Sequence, residues 1–386
     1  MSRTLGLGLV GAGTIAGRIM NHLAVPDVQD AVRVVHVCDP VPGRAAAVAE
    51  RFAVPRAGQS YEELLADPAV DIVCIASPIG LHYEQGMAAI KAGKHVHFNK
   101  TIATTAAEAT ALIDAARAAD VKLVASPGEV LRPHLIRIKE LIAEGAIGTP
   151  IWAAAGCALW TYHEDEPERT SEGGVADIDP SWYFRKPGGG PLYDMTVYAL
   201  HAMTGVLGSV QRVTAMSGVR IEERQFKGRA IKTEADDNTL VLMDFGNNLF
   251  ALAYGTASGI LSEDRSWDPD PRIYGTGGQI IRDTLNGVPF DYPGAELART
   301  PVEGESWVVP GPELILPHIT PAHYPFSEWH VFEDLMQLVD WVRLDKPSPV
   351  TAEHARHVVE IIEAAYRAAE TGQTQVLTTT IDGLVA

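Results

Sequence analysis

The feature that leaves this chain least freedom is its opening stretch. Leu5–Val10 is an apolar run of strand length. It breaks at Gly11-Ala12-Gly13-Thr14-Ile15-Ala16-Gly17, and Arg18–Ala24 then reads as a helix. A strand, a glycine turn and a helix in that order are the context in which a dinucleotide fingerprint has physical meaning. Gly11 permits the tight turn, Gly13 lets backbone approach a pyrophosphate, and Ala16 is small where helix and strand pack closely. The helix start, with Thr14 and Ile15, offers unpaired N–H groups to phosphate. The next strand, Arg33–Cys38, ends in Asp39. A carboxylate there can accept bonds from both hydroxyls of a ribose, and the loop 26–30 accounts for its extra distance from the glycines. Asp39 repels a 2′-phosphate and favours NAD over NADP. Arg44 nearby is the residue that could pair with such a phosphate instead.

The alternation continues: a helix over 43–52, a strand near 54–57, a helix capped by Ser60 with Glu63 three residues on, and a strand over 70–76. A helix over 82–92, a strand over 95–98, a helix over 105–119 and a strand over 121–125 complete the series. This spacing predicts an α/β fold with a doubly wound parallel sheet. In such sheets ligands bind beyond the C-terminal ends of the strands. Gly13, Asp39, Ser77 and Lys100 all fall there. Further along, 237–245 and 249–256 read as a hairpin across Gly246-Asn247-Asn248, and 328–344 and 352–370 carry helical apolar spacing. His354 and His357, on the last helix, read as surface or packing residues.

Composition narrows the partners. The chain has 386 residues, 31 basic against 49 acidic, for a formal charge of -18. Nucleic acid and anionic membrane both call for clustered Lys and Arg, so neither is expected as a partner. No apolar stretch reaches the roughly 18 residues of a membrane span. The N-terminus enters a strand without a separate apolar leader. Cys38, Cys74 and Cys157 are far apart and match no zinc spacing, so no metal is expected and the thiols read as buried small hydrophobes. A reduced, soluble, cytoplasmic protein follows. One acidic loop, 161–169, contains His163, Glu164 and Asp165. It reads as a solvated loop or subunit contact rather than a lid or metal site. The stretch 263–271, with Trp267, reads as a lid or interface arm.

The glycine turn, the run VCIASPIGLHYEQGMAAIKAGKHVHFNK, and Trp182 followed by GGGPLYDMTVYALHAMTGVLG together resemble the Gfo/Idh/MocA family of sugar and inositol oxidoreductases, over nearly the whole chain. The resemblance implies a Rossmann domain over 1–126. It also implies a domain over 127–386 built on an open, mostly antiparallel sheet whose flat face mediates subunit contact, hence a homo-oligomer, dimer or tetramer. The family's Glu-Lys-Pro motif falls on Asn99-Lys100-Thr101. Only the lysine is kept, and losing the proline removes an expected cis bond. Asn99 can hold the lysine or a nicotinamide ribose. The family's Asp-x-x-x-His pattern falls on Asp194 and Tyr198, and tyrosine at the second position is similar to the glucose-fructose oxidoreductase branch. Ser77, Pro78 and His82 match the cofactor loop, where Ile79 would touch the adenosine or nicotinamide. Trp182 and Arg185 line the site, and Gly128 and Glu129 edge the nicotinamide pocket. The triple glycine 188–190 is expected to bring backbone close to nicotinamide or sugar.

Asp194, Tyr198 and His201 are spaced by four and three residues, so on a regular helix they share one face. With Lys100 they form the candidate catalytic set, and with Glu129 the substrate-binding set. Oxidation of a hydroxyl by hydride transfer needs its proton removed by a group tuned toward neutrality. Lys100 is the expected acid/base relay and Tyr198 its rival or partner. The expected substrate is a sugar, glycoside or cyclitol without phosphate. The alternatives are redox-assisted cleavage of a glycosidic bond, with NAD regenerated in each cycle, and a non-catalytic NAD-binding sensor.

Overall fold

A computed structural model describes residues 3–158, 180–226, 228–257, 267–299 and 315–381. The segment 161–169 and residues 263–266 lie outside the described residues. The first third is the predicted alternation: β1 (Leu5–Val10), α1 (Thr14–Leu23), β2 (Val32–Cys38), α2 (Arg44–Phe52), β3 (Arg56–Gly58), α3 (Tyr61–Ala66), β4 (Ile72–Ile75), α4 (His82–Lys91), β5 (His95–Phe98), α5 (Ala106–Ala118) and β6 (Leu123–Ala125). The strands pair in parallel in the order β3-β2-β1-β4-β5-β6, so the order reverses beside β1, the switch point at which sheets of this kind bind ligands. Local chemistry starts the helices as the sequence indicates. The Ser60 hydroxyl accepts from the Glu63 N–H, and Thr105 with Glu108 forms a complete capping box on α5.

The chain then forms α6 (Pro133–Ala143), β7 (Pro150–Ala158), α7 (Val197–Leu207), β8 (Arg212–Gly218), β9 (Glu223–Phe226), β10 (Arg229–Lys232), β11 (Asn238–Asp244), β12 (Phe250–Thr256), β13 (Trp267–Gly275), β14 (Gln279–Ile281), β15 (Thr284–Leu285), β16 (Val288–Pro289) and α8 (Ala295–Arg299). It ends with α9 (Trp329–Leu344), α10 (Ala352–Thr371) and β17 (Gln375–Val376). Nine strands form one open sheet, β16-β15-β14-β13-β7-β12-β11-β8-β17, antiparallel except where β7 meets β12. Strands β11 and β12 are the predicted hairpin. Asn247 and Asn248 take the left-handed conformation in its turn. The inner face packs against α7 and α10 through Val213, Val241, Met243, Ala253 and Ile273.

Two features depart from a simple two-part division. The segment from Leu316 through α9 returns to the parallel sheet. Leu316, Trp329, Phe332, Leu335 and Leu338 share a core with Leu7, Leu9, Ile19 and Ile72. Ile79, from the loop after β4, is buried in the core of the second sheet with Leu192 and Tyr193 rather than facing a cofactor.

Buried polar groups are numerous. Both nitrogens of His357 are engaged: the Val210 N–H donates to Nε2, and Nδ1 lies 2.9 Å from the Thr379 hydroxyl. His354 meets Thr204 at 2.7 Å. These two are therefore packing residues with no surface role. The three described cysteines are buried and unpaired, and burial pushes the Cys38 and Cys74 thiols up to about 12.

Burial lowers the imidazoles of His22 and His357 to about 4, and of His97 and His354 to about 3. Each holds fewer protons folded than unfolded between its folded value and the ordinary 6.5, so acid favours the unfolded chain in that window. Asp334, raised by burial to about 6, acts oppositely above 3.8, but it stands against these four and against His82, His95 and His201, which burial also lowers. Denaturant titrations should show stability falling steadily as pH drops from 6.5 toward 4, and the slope should flatten in His354→Gln.

Candidate active site

The turn after β1 is shaped by glycine. Gly11 has φ +91, and a Cβ there would lie 2.8 Å from the Ala76 carbonyl oxygen. The Asp39 carboxylate, at the end of β2, braces this turn. The Ala12 N–H donates to its Oδ2 at 2.8 Å and the Val41 N–H to its Oδ1 at 2.9 Å. Each oxygen keeps a lone-pair site. Helix α1 starts at Gly13 without a side-chain cap, and the Thr14 hydroxyl is buried with no partner among the described residues. A helix N-terminus with an unanswered hydroxyl fits a phosphate. That geometry fits a dinucleotide, with Gly13, Thr14 and Ile15 against the pyrophosphate and Asp39 against a ribose. When bound, such a cofactor supplies a hydride acceptor or donor.

Lys100 lies just past β5. Its Nζ donates to both the carboxylate and the backbone carbonyl of Asp194. The side chains are 12% and 4% exposed, so the pair is largely desolvated. The Lys100 N–H donates to the Asn99 side chain, which orients the turn. The Lys100–Thr101 bond is cis although residue 101 is threonine, which corrects the expectation drawn from the missing proline. The turn is braced by His82, buried with Nδ1 2.6 Å from the Thr101 carbonyl and Nε2 2.9 Å from that of Ser77. The Ser77 hydroxyl donates to Gln85. His82 thus faces inward and ties the β4 and β5 loops together.

Opposite Lys100, residues Leu192–Thr196 form a π-helical turn before α7. A π turn advances the phase by an extra residue. The regular face expected of Asp194, Tyr198 and His201 is therefore broken. Asp194 meets Lys100, and the Tyr198 ring lies 5.6 Å from the Lys100 ammonium. His201 instead packs against His354, with ring centroids 4.5 Å apart and the planes tilted by 50°. It lines a separate cavity of about 190 Å³ with Glu129, Lys139 and Gly205. Burial and the neighbouring His354 and His357 hold its proton affinity well below the ordinary range.

The structure places the remaining candidates as follows. Gly128 gives its N–H to Asp334 of α9, and Glu129 is buried with its carboxylate 2.8 Å from Arg132. Trp182 stacks on Tyr183 at 3.7 Å, while Arg185 is exposed. Pro78 sits at the start of the one-turn helix 79–81. Gly188, at φ +87, lies against Ile79, and Gly190 against the Asp236 carbonyl, so the triple glycine brings this loop against protein backbone.

The sequence reading missed His330 and Glu328. The Tyr198 hydroxyl lies 3.2 Å from His330 Nε2, 132 residues away. The same Nε2 is 3.5 Å from Glu328, whose other oxygen accepts from Arg18 of α1 at 2.6 Å. Burial pushes the Tyr198 phenol far above 10, reinforced by Glu328, Asp194 and Glu129 and opposed by Arg132. No local pattern marks His330, because only the return of α9 brings it here. Among the described residues no group of three His, Cys, Asp or Glu is placed to hold a metal. No helix among them is long and apolar enough to cross a membrane.

Two family profiles match the chain. "Oxidoreductase family, NAD-binding Rossmann fold" covers residues 5–126 and "GFO/IDH/MocA C-terminal domain" covers 135–281. The chain is 25% identical over 390 aligned positions to a scyllo-inositol 2-dehydrogenase (NADP(+)) of Bacillus subtilis, covering 97% of this chain and 96% of that one. It is 30% identical over 222 positions to a D-xylose 1-dehydrogenase (NADP(+)) of Hypocrea jecorina, covering 57% of this chain and 55% of that enzyme. The match to this enzyme thus spans about half of its length. A levoglucosan dehydrogenase solved with NADH and levoglucosan superposes at TM-score 0.72 and 20% identity, covering 98% and 100% of the two chains, which establishes a shared fold.

The ion pair makes a stability prediction. Lys100→Met removes the cation from the buried Asp194 carboxylate and should cost about 3–5 kcal/mol in urea unfolding. Adding Asp194→Asn to that variant should restore most of the loss.

Proposed function

The chain belongs to the Gfo/Idh/MocA oxidoreductase family, and from that membership we propose that it transfers hydride between a secondary hydroxyl of a sugar, glycoside or cyclitol and NAD, with Lys100 as acid/base relay. The observation that carries this reading is the buried Lys100–Asp194 pair, set past β5 on the crevice side and flanked by Tyr198. With two of its hydrogens on Asp194, the ammonium keeps one for the reacting oxygen. It can steady negative charge there as the C–H bond breaks and return a proton in the reverse direction. Asn99 and Asp194 fix where it points.

Residues 1–126 hold the dinucleotide in this reading, and 127–386 shape the substrate side and the subunit contact. Asp39, buried and hydrogen-bonded to the glycine turn, favours NAD over NADP, although named relatives use NADP. An unphosphorylated substrate is supported by the carboxylate partners of described cations around the Lys100–Tyr198–His330 cluster: Lys100 pairs with Asp194, Arg132 with Glu129 and Arg18 with Glu328. A homo-oligomer is supported by the outer face of the nine-stranded sheet, where Trp152, Met216, Leu240, Leu242 and Phe250 are exposed. An apolar face of that kind marks an association surface.

The first experiment is incubation with NAD and a panel of free sugars, glycosides and cyclitols, following nicotinamide absorbance while assaying released sugar. Sustained reduction with one class is the expected result, and Lys100→Ala should lower kcat by roughly a hundredfold or more while NAD still binds. Release of sugar without accumulating NADH would replace this reading with redox-assisted cleavage, and NAD binding without either would leave a sensor. In light scattering, Leu242→Glu combined with Met216→Glu should reduce the native mass to that of a smaller assembly; an unchanged mass would move the contact elsewhere.

A further inference from the structure

We infer that His330 takes up the proton released by the substrate hydroxyl, receiving it through the phenol of Tyr198. The inference rests on the dehydrogenase reading above. It begins from what Lys100 cannot do alone. An ammonium paired with a desolvated carboxylate has no lone pair, so it steadies an alkoxide but cannot store an added proton. The proton needs a further acceptor within reach.

Tyr198 flanks the ammonium, and its hydroxyl lies 3.2 Å from His330 Nε2. In the tautomer that carries its hydrogen on Nδ1, Nε2 accepts from the phenol. As hydride leaves the carbon for the nicotinamide, the sugar O–H breaks and its proton moves onto the Tyr198 oxygen, directly or across Lys100. The phenolic proton moves to His330 Nε2. The phenol ends neutral, His330 ends as an imidazolium, and no further oxidant or reductant is needed. Tyr198 must give a proton as it gains one, because its buried surroundings oppose a standing phenolate.

The surroundings of His330 suit the added charge. Glu328 lies 3.5 Å from Nε2 and is itself anchored to Arg18. Asp334, one turn along α9, interacts favourably with the imidazolium, while His22 of α1 opposes it when charged. Asp194, Glu129 and Arg132 act on the same pocket through Tyr198. His330 does not touch substrate in this scheme. It is a positioning and proton-accepting residue behind Tyr198.

The test uses the full-length protein with NAD and the substrate found by the panel. His330→Gln should lower kcat roughly a hundredfold with little change in KM, and should abolish the acid limb of the kcat/KM profile. Added imidazole should restore part of the activity of His330→Ala. A readout independent of turnover is the NMR titration of the His330 ring in protein without cofactor. A phenol donating to Nε2 favours the neutral ring, so Tyr198→Phe should move its midpoint upward. This measurement needs no substitution at His330 and stands even where His330 variants fold poorly. Full activity in His330→Gln, an unaltered acid limb without imidazole rescue, or an unmoved midpoint in Tyr198→Phe would each overturn the relay while leaving the dehydrogenase intact. A wild-type protein that oxidises nothing would overturn the dehydrogenase reading and the relay with it.

Discussion

The placing of one ammonium beside one carboxylate, both mostly withdrawn from water, governs the arrangement of this molecule. Lys100 comes from the parallel sheet and Asp194 from the turn that opens α7, so their contact fixes one half of the chain against the other. Neither charge is tolerable there alone. Neighbouring contacts hold the same seam without charge: the Tyr193 hydroxyl donates to the Thr104 carbonyl, Gly188 sits on Ile79, and Ile79 is buried in the core of the second sheet. The seam is thus closed by side-chain packing and a hydrogen bond as well as by the ion pair.

Much of this was legible in the sequence, for identifiable reasons. The parallel sheet follows from alternating periods of two and 3.6 residues, and from caps such as Ser60–Glu63 and Thr105–Glu108 whose chemistry is local. The hairpin of β11 and β12 follows from its turn residues. The meeting of Lys100 with Asp194 came from motif resemblance and not from spacing. The expectation of one shared helical face for Asp194, Tyr198 and His201 failed where geometry departs from the regular. A π turn cannot be told from an α turn by apolar spacing, so His201 was expected beside Asp194 and instead lies against His354. His82 and Gly188 were read as ligand contacts, whereas the structure turns both toward protein. His330 carried no signal, since its partner is 132 residues away.

The histidines illustrate a wider point about reading titratable residues from sequence. His22, His97, His354 and His357 have the same side chain as His330, yet burial depresses their proton affinity and their nitrogens are committed to structural bonds. What distinguishes His330 is its company: a phenol on one side and an anchored carboxylate on the other. Residue type offers the chemistry, and packing decides whether it is available.

The return of α9 to the first sheet bears on how the molecule is made. Phe332, Leu335 and Leu338 complete a core begun by Leu7, Leu9 and Ile19, yet they emerge from the ribosome some three hundred residues later. Until then one face of the nascent sheet carries uncovered apolar surface. The dinucleotide domain is therefore contiguous as a family signature but not as a folding unit. Its last layer arrives only when every described strand of the second sheet except β17 has been synthesised, and chaperone occupancy of the growing chain should persist until α9 clears the exit tunnel.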